Sequence, residues 1–281
     1  MIPLTIVNGE AWWADYLPGV DLHPVRIQES RWVLQSNKLF VWDRTGCREV
    51  QSVLWRVGAV SSGPEPDGKA LLETIAAARV PCVNNILTLL RCHERLAMRN
   101  EVLAANAPLL PCDIAIGPRA IENIKPIFPV VLKVGSHHGG IGKALARNEE
   151  EWRDLVDLAA AANTYATLEP FIEYKRDIRI LTVGESMWAI CRRSSDWKAS
   201  RVTDSIEAIR PPADMLLHAR RLQEHLQADM LATDFLEDDS GNSYVIEVDA
   251  TPSFSGFPEA ARDAAAQLIQ QRLLVATKNM Q

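Results

Sequence analysis

The sequence has no apolar run long enough to cross a membrane and no block of like charge. Its longest apolar stretches, such as residues 128–132, are far shorter than the roughly 20 residues of a membrane-spanning helix. The opening MIPLTIVNGE lacks the basic region and the small-residue cleavage site of a signal peptide. A net charge of −6, with both signs interspersed, is not typical of proteins that bind nucleic acid or an anionic membrane. We therefore expect a cytoplasmic protein with neither nucleic acid nor membrane as a partner.

Cysteine and the common nucleotide motifs are also scarce. The five cysteines are scattered and include no Cys-x-x-Cys, so the sequence supports neither a disulfide framework nor a zinc site. A Walker loop needs Gly-x-x-x-x-Gly-Lys followed by Ser or Thr, but His137 stands where the first glycine belongs and Ala144 follows Lys143. The glycines of this region do not form the dinucleotide fingerprint Gly-x-Gly-x-x-Gly either.

The sequence does have the apolar content of a large core, with 47% hydrophobic residues over a length of 281, which suggests one or two domains. Apolar, β-branched runs predict strands at 2–7, 39–42, 53–57, 129–134, 166–172, 178–183, 187–191, 230–236 and 244–248. Amphipathic stretches predict helices at 71–78, 92–105, from 214, and at 259–274. The best supported helix follows Asn148, where Glu151 suggests a capping box and Trp152, Val156 and Ala159 contribute to an apolar stripe.

A glycine-rich loop, KVGSHHGGIGK at residues 133–143, lies between the valine-rich strand and this helix. Glycines let backbone N–H groups approach oxygen atoms closely, and Lys133 and Lys143 bring positive charge to both ends, as phosphate binding requires. A plain hairpin with solvated lysines explains the same residues equally well. His137 and His138 would face opposite sides of a strand, so a metal shared between them would need a third ligand. The loop alone leaves phosphate binding and a plain turn open.

Three acids near the C-terminus form a second candidate group. The segment SYVIEVDATPS places Glu247 and Asp249 two residues apart on one strand, and hence on one face. Asp234, on the preceding predicted strand, would join them across an antiparallel pair. Oxygen ligands at that spacing suit Mg²⁺. Three charges on a solvated strand face are the alternative, but the neighbouring residues are mostly apolar, and a buried strand rarely holds acids without partners.

Taken in order, these segments resemble the ATP-grasp superfamily. PVVLKVGSHHGGIGK, TYATLEPFIEYKRDIRI and DWKAS resemble the core of synapsins, and EVDATPSFSG is similar to the final motif of the ribosomal-protein glutamate ligases. The resemblance spans about residues 84–275. It implies an α/β protein of the α+β ATP-grasp fold, with a small N-terminal α/β pre-ATP-grasp domain at 1–88 and an ATP-grasp domain at 89–281. Within the latter, a lid subdomain at about 110–167 and a C-terminal subdomain at about 168–281 would clamp ATP.

The resemblance also implies which residues bind ATP. Lys133 would meet the α-phosphate, the loop with Lys143 would close over the β- and γ-phosphates, and residues 169–172 would form a hinge whose backbone reads adenine. Asp177 would lie near the ribose, with Arg179 in the same site. The implied nucleotide-binding residues are Lys133, Ser136, Gly139, Gly140, Gly142, Lys143, Glu169, Pro170, Phe171, Ile172, Asp177 and Arg179.

For chemistry, the resemblance implies ATP-dependent ligation of a carboxylate to an amine through an acylphosphate. Arg192, rather than its neighbour Arg193, and Lys143 would be catalytic. Asp234, Glu247 and Asp249 would hold one or two Mg²⁺ ions, or Mn²⁺ in their place. The substrates would be small molecules or peptides, and a homo-oligomer is compatible with the resemblance. Two alternatives stay open: a synapsin-like module that binds ATP and oligomerises without catalysis, and a kinase of small hydroxylated molecules.

The chain departs from the usual pattern in several places: the region after Trp197 and Lys198 lacks the asparagine of synapsins, and Ser253 replaces a glycine of the final loop. Two further departures concern charged residues. Asp249 stands where many ATP-grasp proteins have asparagine, which adds a negative charge that Mg²⁺ tolerates. Arg95 lies near a position where lysine is common, so Arg95 is a candidate replacement for that lysine.

Overall fold

The computed structural model describes residues 2–57, 66–137, 140–162, 164–198 and 203–279. Its strands are β1 (Ile2–Val7), β2 (Val20–Val25), β3 (Arg31–Gln35), β4 (Lys38–Asp43), β5 (Gly46–Glu49), β6 (Val53–Trp55), β7 (Cys82–Val83), β8 (Asp113–Ala115), β9 (Val130–Val134), β10 (Lys143–Ala146), β11 (Ala166–Pro170), β12 (Arg176–Val183), β13 (Ser186–Arg193), β14 (Ser205–Ile209), β15 (Met230–Glu237) and β16 (Ser243–Asp249). Its helices are α1 (Trp13–Tyr16), α2 (Pro66–Ala77), α3 (Ile86–Arg91), α4 (Arg95–Ala104), α5 (Pro118–Glu122), α6 (Glu149–Ala161), α7 (Ala213–Leu226) and α8 (Glu259–Asn279). Every predicted strand and helix has a counterpart within a few residues, which confirms an α/β chain.

The N-terminal part contains a parallel sheet in the order β2-β1-β6-β7, with the antiparallel meander β3-β4-β5 beside it. The carboxyl ends of parallel strands meet at one edge of a sheet, so the residues that follow β6 and β7 lie together. Arg56 follows β6, and its guanidinium donates to the carbonyl oxygen of Pro252 at 2.9 Å. Asn84 follows β7, and its amide donates to the carbonyl oxygen of Ala250 at 2.6 Å. The N-terminal sheet thereby holds the loop after β16.

The second sheet, β10-β9-β11-β8, is antiparallel and carries α5 and α6 on one face. Side chains alternate along β9, so Val130 and Leu132 enter a core with Trp152 of α6, whereas Val131 and Lys133 face the other way. β9 and β10 form the predicted hairpin around the glycine-rich loop. This sheet therefore covers one face with helices and presents Lys133 from the other.

Helix α6 begins as predicted, with one difference. The Asn148 side chain accepts a hydrogen bond from the Glu151 N–H at 2.9 Å, which is an N-cap. The Glu151 carboxylate accepts from the N–H of Arg147 at 2.8 Å rather than from that of Asn148. The reciprocal half of the predicted capping box is therefore wrong by one residue. Helix α4 also differs: it begins at Arg95, because Cys92 caps the preceding helix α3.

The third sheet, β14-β13-β12-β15-β16, is antiparallel throughout. On β12, Ile178 and Ile180 enter the large core with α7, while Asp177 and Arg179 face the opposite side. Farther along that opposite side, Leu181 packs in the core that includes α8. One face of the sheet thus changes from apolar beneath α8 to charged in the part that carries Asp177 and Arg179.

Within the described residues, no helix combines the length and the apolar character needed to span a membrane.

Candidate nucleotide site

A cleft lies between the second and third sheets. Its volume, including the open mouth, is about 720 Å³. Its walls come from β9, β10 and β11 on one side and from β12, β13, β15 and β16 on the other. The lining residues are Leu110, Val131, Lys133, Lys143, Glu169, Pro170, Phe171, Ile172, Tyr174, Asp177, Arg192, Trp197, Lys198, Asp234, Leu236, Ile246 and Glu247. Most residues expected to bind ATP are therefore brought together, from segments more than 100 positions apart.

Lys133 lies at the bottom of this cleft in a buried ion pair. Its Nζ donates to a Glu169 oxygen at 2.5 Å, and Arg99 of α4 donates to the other Glu169 oxygen at 3.1 Å. Burial lowers the pKa of Lys133, and Glu169 opposes that change only in part. Burial alone would raise the pKa of Glu169, but Lys133 and Arg99 lower it below its ordinary value. Glu169 therefore stays ionised and holds two cations, which leaves Lys133 fixed but still facing the cleft.

The glycine-rich loop turns where glycine is required. Gly142 has φ +67° and lies where an added Cβ would come within 2.8 Å of the Val134 carbonyl oxygen, so no other residue fits there. Gly140 also has a positive φ, and Gly139 and His138 lie outside the described residues. Ser136 is buried, and its hydroxyl accepts a hydrogen bond from the Arg95 N–H at 2.8 Å instead of lining the cleft.

Arg95 anchors this loop. Its guanidinium donates to the Gly135 carbonyl oxygen at 3.2 Å and to the carbonyl oxygen of His137. Arg95 is buried and is absent from the cleft lining. Arg95, the candidate replacement for a lysine common at this position, thus holds the backbone of the loop.

Lys143 pairs directly opposite Lys133 in the β9–β10 hairpin, so both side chains lie on the cleft face. The Lys143 Nζ is 3.7 Å from a Glu247 oxygen on the third sheet. The Lys198 Nζ reaches back from the loop after β13 and donates to the Lys143 carbonyl oxygen at 2.5 Å. These contacts cross the cleft and link its two walls.

The predicted adenine hinge lines the cleft, but one of its backbone N–H groups is already hydrogen-bonded within the protein. The Phe171 N–H donates to the Pro129 carbonyl oxygen at 3.0 Å, and Pro170 has no N–H. Within the described residues the Ile172 N–H makes no hydrogen bond. The Phe171 ring meets the Trp197 ring edge to face at 6.4 Å, which gives this part of the cleft an aromatic surface. Ile172 is therefore the hinge donor best placed for a ligand.

An alternating chain of carboxylates and guanidiniums lines the third sheet. Arg192 donates to Asp177 at 2.6 Å and to Asp234 at 3.0 Å. Arg179 donates to Asp234 at 3.0 Å and to Asp249 at 2.8 Å. Burial alone would lower the pKa of Arg192, but Asp234 and Asp177 raise it above its ordinary value. Both arginines are therefore firmly cationic in this site.

The arrangement decides between the two neighbouring arginines. Arg192 lies directly opposite Asp177 across β12 and β13, and its side chain is 10% exposed. Arg193 is the next residue on the strand, points to the other face and is exposed. Arg192 is the arginine of the cleft.

The predicted metal ligands share one face, as expected, but are not gathered around an empty position. Asp234 pairs directly with Glu247, and Asp249 lies opposite Ala232 two residues away. The described residues include no group of three or more acid, histidine or cysteine side chains arranged to hold a metal ion. Instead, the Arg179 guanidinium lies between Asp234 and Asp249 as a stand-in cation. Carboxylate oxygens are suitable ligands for a hard divalent ion, and the guanidinium shows that a cation is held here. A divalent ion would have to displace that guanidinium.

Asp177 makes the stability of the protein depend on pH. Burial raises the pKa of Asp177 to about 6, although Arg192 opposes the rise. The folded state therefore binds more protons than the unfolded state between about pH 4 and pH 6. As the pH rises through this range, the contribution of Asp177 to the free energy of unfolding falls by about 2–3 kcal/mol. We expect thermal unfolding of Asp177→Asn to lack this decrease. Equal pH slopes for Asp177→Asn and the unmodified protein would contradict the assignment.

Comparison with known proteins agrees with this geometry. The family model "Synapsin, ATP binding domain" matches residues 118–278, which is more than half of the chain. The chain belongs to the synapsin ATP-binding-domain family. A synapsin from Drosophila melanogaster is 26% identical over 143 residues, which cover 46% of this chain but only 14% of that protein. A probable alpha-L-glutamate ligase from Mannheimia succiniciproducens is 25% identical over 214 residues, covering 72% of this chain and 70% of that protein.

A solved structure of similar fold extends the comparison to nearly the whole chain. An ATP-grasp ligase from Chryseobacterium gregarium, in complex with ADP and with leader and core peptides, superposes with a TM-score of 0.68 at 14% identity. The superposition covers 96% of this chain and 97% of the other. This member of the synapsin ATP-binding-domain family therefore has the ATP-grasp fold, and the predicted resemblance is confirmed.

Sequence patterns did not indicate several residues of the cleft in this synapsin-family chain. Leu110 comes from the loop after α4, and Leu236 and Ile246 come from β15 and β16. Arg99 of α4 does not line the cleft but contacts Glu169 at 3.1 Å. Ile246 enters the cleft because a bulge between Asp234 and Phe235 shifts the register of β15 and β16 by one residue. An extra residue in a strand pair leaves no pattern in a single sequence. The DWKAS match did contain Trp197 and Lys198, and could have suggested them.

Proposed function

We propose that this protein is an ATP-dependent ligase that joins a carboxylate to an amine, forming an amide or peptide bond. One observation carries the proposal: basic groups of the second sheet and acidic groups of the third sheet converge in a single cleft, where Lys143 approaches Glu247 to 3.7 Å. A phosphate chain with its cation needs this combination of charges. The glutamate ligase and the peptide-bound ATP-grasp ligase described above support the reaction class.

We assign the nucleotide to the cleft with adenine at the hinge. The apolar side chains Val131, Leu236 and Ile246 line the same cleft, and the Ile172 N–H would supply a donor for the edge of the base. Lys133 would meet the α-phosphate. Lys143 and the backbone of the Gly140–Gly142 turn would meet the phosphates beyond it.

Asp234, Glu247 and Asp249 would hold Mg²⁺, or Mn²⁺ in its place. When bound, the metal supplies positive charge that neutralises the oxygens of the phosphate chain. The arginines would contribute the same kind of charge from the protein side.

The chemistry consists of two displacements. A substrate carboxylate oxygen attacks the γ-phosphorus while the bond to the β-phosphate oxygen breaks, which yields an acylphosphate and ADP. An amine nitrogen then attacks the acyl carbon, phosphate leaves, and the nitrogen loses a proton. Arg192 and Lys143 are the charged groups that stabilise the transferred phosphoryl group, and the walls of the cleft limit hydrolysis by water.

We also propose a division of the chain into domains. The second sheet has a separate core, which includes Leu132, Trp152 and Ala166. That separate core supports a lid subdomain at about 110–167 that moves against residues 168–281. The N-terminal sheet, assigned to residues 1–88, contacts the loop after β16 and would help to shape the acceptor side.

Trapping with hydroxylamine tests the proposal. The protein is incubated with Mg²⁺, ATP and pooled amino acids, small acids or short peptides, and hydroxylamine is added to intercept an acylphosphate. We expect a hydroxamate together with ADP. A stable phosphoester with ADP would instead identify a kinase, and no product across a broad pool would contradict the ligase.

A second candidate is an ATP-binding module without catalysis. The observation in its favour is the family itself, whose model describes an ATP-binding domain. Such a module would bind ATP with Lys133 and the hinge yet release no ADP in response to any acceptor. The presence of Arg192 within hydrogen-bond distance of two acids in the cleft favours the ligase, because binding alone does not require it.

A further inference from the structure

Most charged side chains in and around the cleft are paired with one another. The ion pairs join five carboxylates, Glu169, Asp177, Asp234, Glu247 and Asp249, to five cations, Arg99, Lys133, Lys143, Arg179 and Arg192. A divalent cation or a polyphosphate that arrives alone must break some of these ion pairs and leave a buried charge without its partner. A cation and a polyphosphate that arrive together can exchange partners with these ion pairs.

Arg179 bridges two of the expected metal ligands. It lies directly opposite Asp234 across β12 and β15, and its two terminal nitrogens contact Asp234 at 3.0 Å and Asp249 at 2.8 Å. The side chains of Arg179 and Asp234 are only 14% and 5% exposed, so water screens their interaction poorly. Two of the three expected metal ligands are thus occupied by contacts to one side chain.

The neighbouring cations do not substitute for Arg179. Arg192 contacts Asp234 and Asp177, and its shortest contact is with Asp177 at 2.6 Å. Lys143 approaches only Glu247 of the three acids. Loss of the Arg179 charge would leave Asp249 and Glu247 beside a half-neutralised Asp234, which is an attractive site for a hard cation.

We propose that Arg179 couples metal binding to nucleotide binding. In the nucleotide-free protein its guanidinium blocks Asp234 and Asp249, so a divalent cation enters only when a triphosphate is present to draw the arginine away and share the metal. This inference rests on the proposed nucleotide site and metal ligands. It assigns Arg179 a role as an internal counter-cation rather than as a contact to the ribose.

Titration with Mn²⁺ alone, followed by electron paramagnetic resonance of the free ion, tests this role without any turnover. We expect Arg179→Gln to bind Mn²⁺ in the absence of nucleotide at least tenfold more tightly than the unmodified protein. Arg179→Lys keeps the charge and should stay close to the unmodified protein. Arg176→Gln is the matched control, because Arg176 is on the same strand but pairs with Glu237 away from the cleft.

Two outcomes would overturn the inference. The first is that Arg179→Gln binds Mn²⁺ alone with an affinity within twofold of that of the unmodified protein. The second is that the unmodified protein binds a non-hydrolysable ATP analogue but binds Mn²⁺ equally well with and without it. If Arg179→Gln is unfolded without metal, the melting temperature replaces the titration, and Mn²⁺ alone must raise it in this variant and not in the unmodified protein. Failure to bind the analogue at all would refute the proposed function instead.

Discussion

We expect the replacement of Arg192 with methionine to lower the turnover number by about 100- to 1000-fold, the size expected when a preorganised donor to developing charge is lost. Arg192 is 10% exposed and has both carboxylate contacts within 3.0 Å, so its guanidinium is held in place before any substrate arrives. The affinity for ATP should change much less, because Lys133 and the hinge remain. The rate of ADP release and the ATP dissociation constant, measured separately, distinguish these effects.

Two further variants distinguish a loss of catalysis from a loss of folding. Arg192→Met leaves Asp177 buried without its arginine, which costs about 3–5 kcal/mol when a buried pair is broken. Adding Asp177→Asn removes that unpaired charge and should restore stability without restoring turnover. Arg193→Met, on the exposed side of the same strand, should keep full activity. Turnover within threefold of normal in a folded Arg192→Met protein would mean that Arg192 stabilises no transferred phosphoryl group.

We expect the replacement of Lys133 with methionine to weaken ATP binding by at least 100-fold. In a buried position a charge-assisted hydrogen bond to phosphate is stronger than in water, so its loss should cost a few kcal/mol of binding free energy. The fold should survive, because Arg99 remains 3.1 Å from Glu169 and keeps that carboxylate paired. Calorimetric titration with ATP measures the effect.

The double variant Lys133→Met/Glu169→Gln separates binding from stability. It removes the buried acid together with its partner, so the melting temperature should return toward that of the unmodified protein while ATP binding stays weak. Lys125→Met, in the exposed loop before β9, is the matched control and should bind ATP normally. Recovery of ATP binding in the double variant would show that Lys133 acts only by neutralising Glu169.

Local patterns in the sequence predicted much of this site. Alternation along 130–133 places Lys133 away from the apolar core, and alternation along 245–249 places Glu247 and Asp249 on one face, as the structure has them. The Asn148 cap was likewise evident from adjacent residues. These features depend on neighbours a few positions apart, where periodicity and capping chemistry are most informative.

Pairings between distant segments could not be predicted in the same way. The bond from Phe171 N–H to Pro129 depends on how two strands meet, and the bulge that admits Ile246 depends on a one-residue shift of register. Arg179 was expected near the nucleotide, but its capture of Asp234 and Asp249 requires three strands in a particular register. Short strands such as β7 and β8 carry too few residues to show a period of two.

A crystal structure of the protein with a non-hydrolysable ATP analogue and Mn²⁺, with the metal located by anomalous diffraction, tests the central claim most directly. The account predicts the base at Ile172, phosphate oxygens within hydrogen-bond distance of Lys133 and Lys143, and an anomalous peak among Asp234, Glu247 and Asp249. A nucleotide ordered outside this cleft, or a Mn²⁺ peak remote from those acids with Arg179 still holding Asp234 and Asp249, would contradict it.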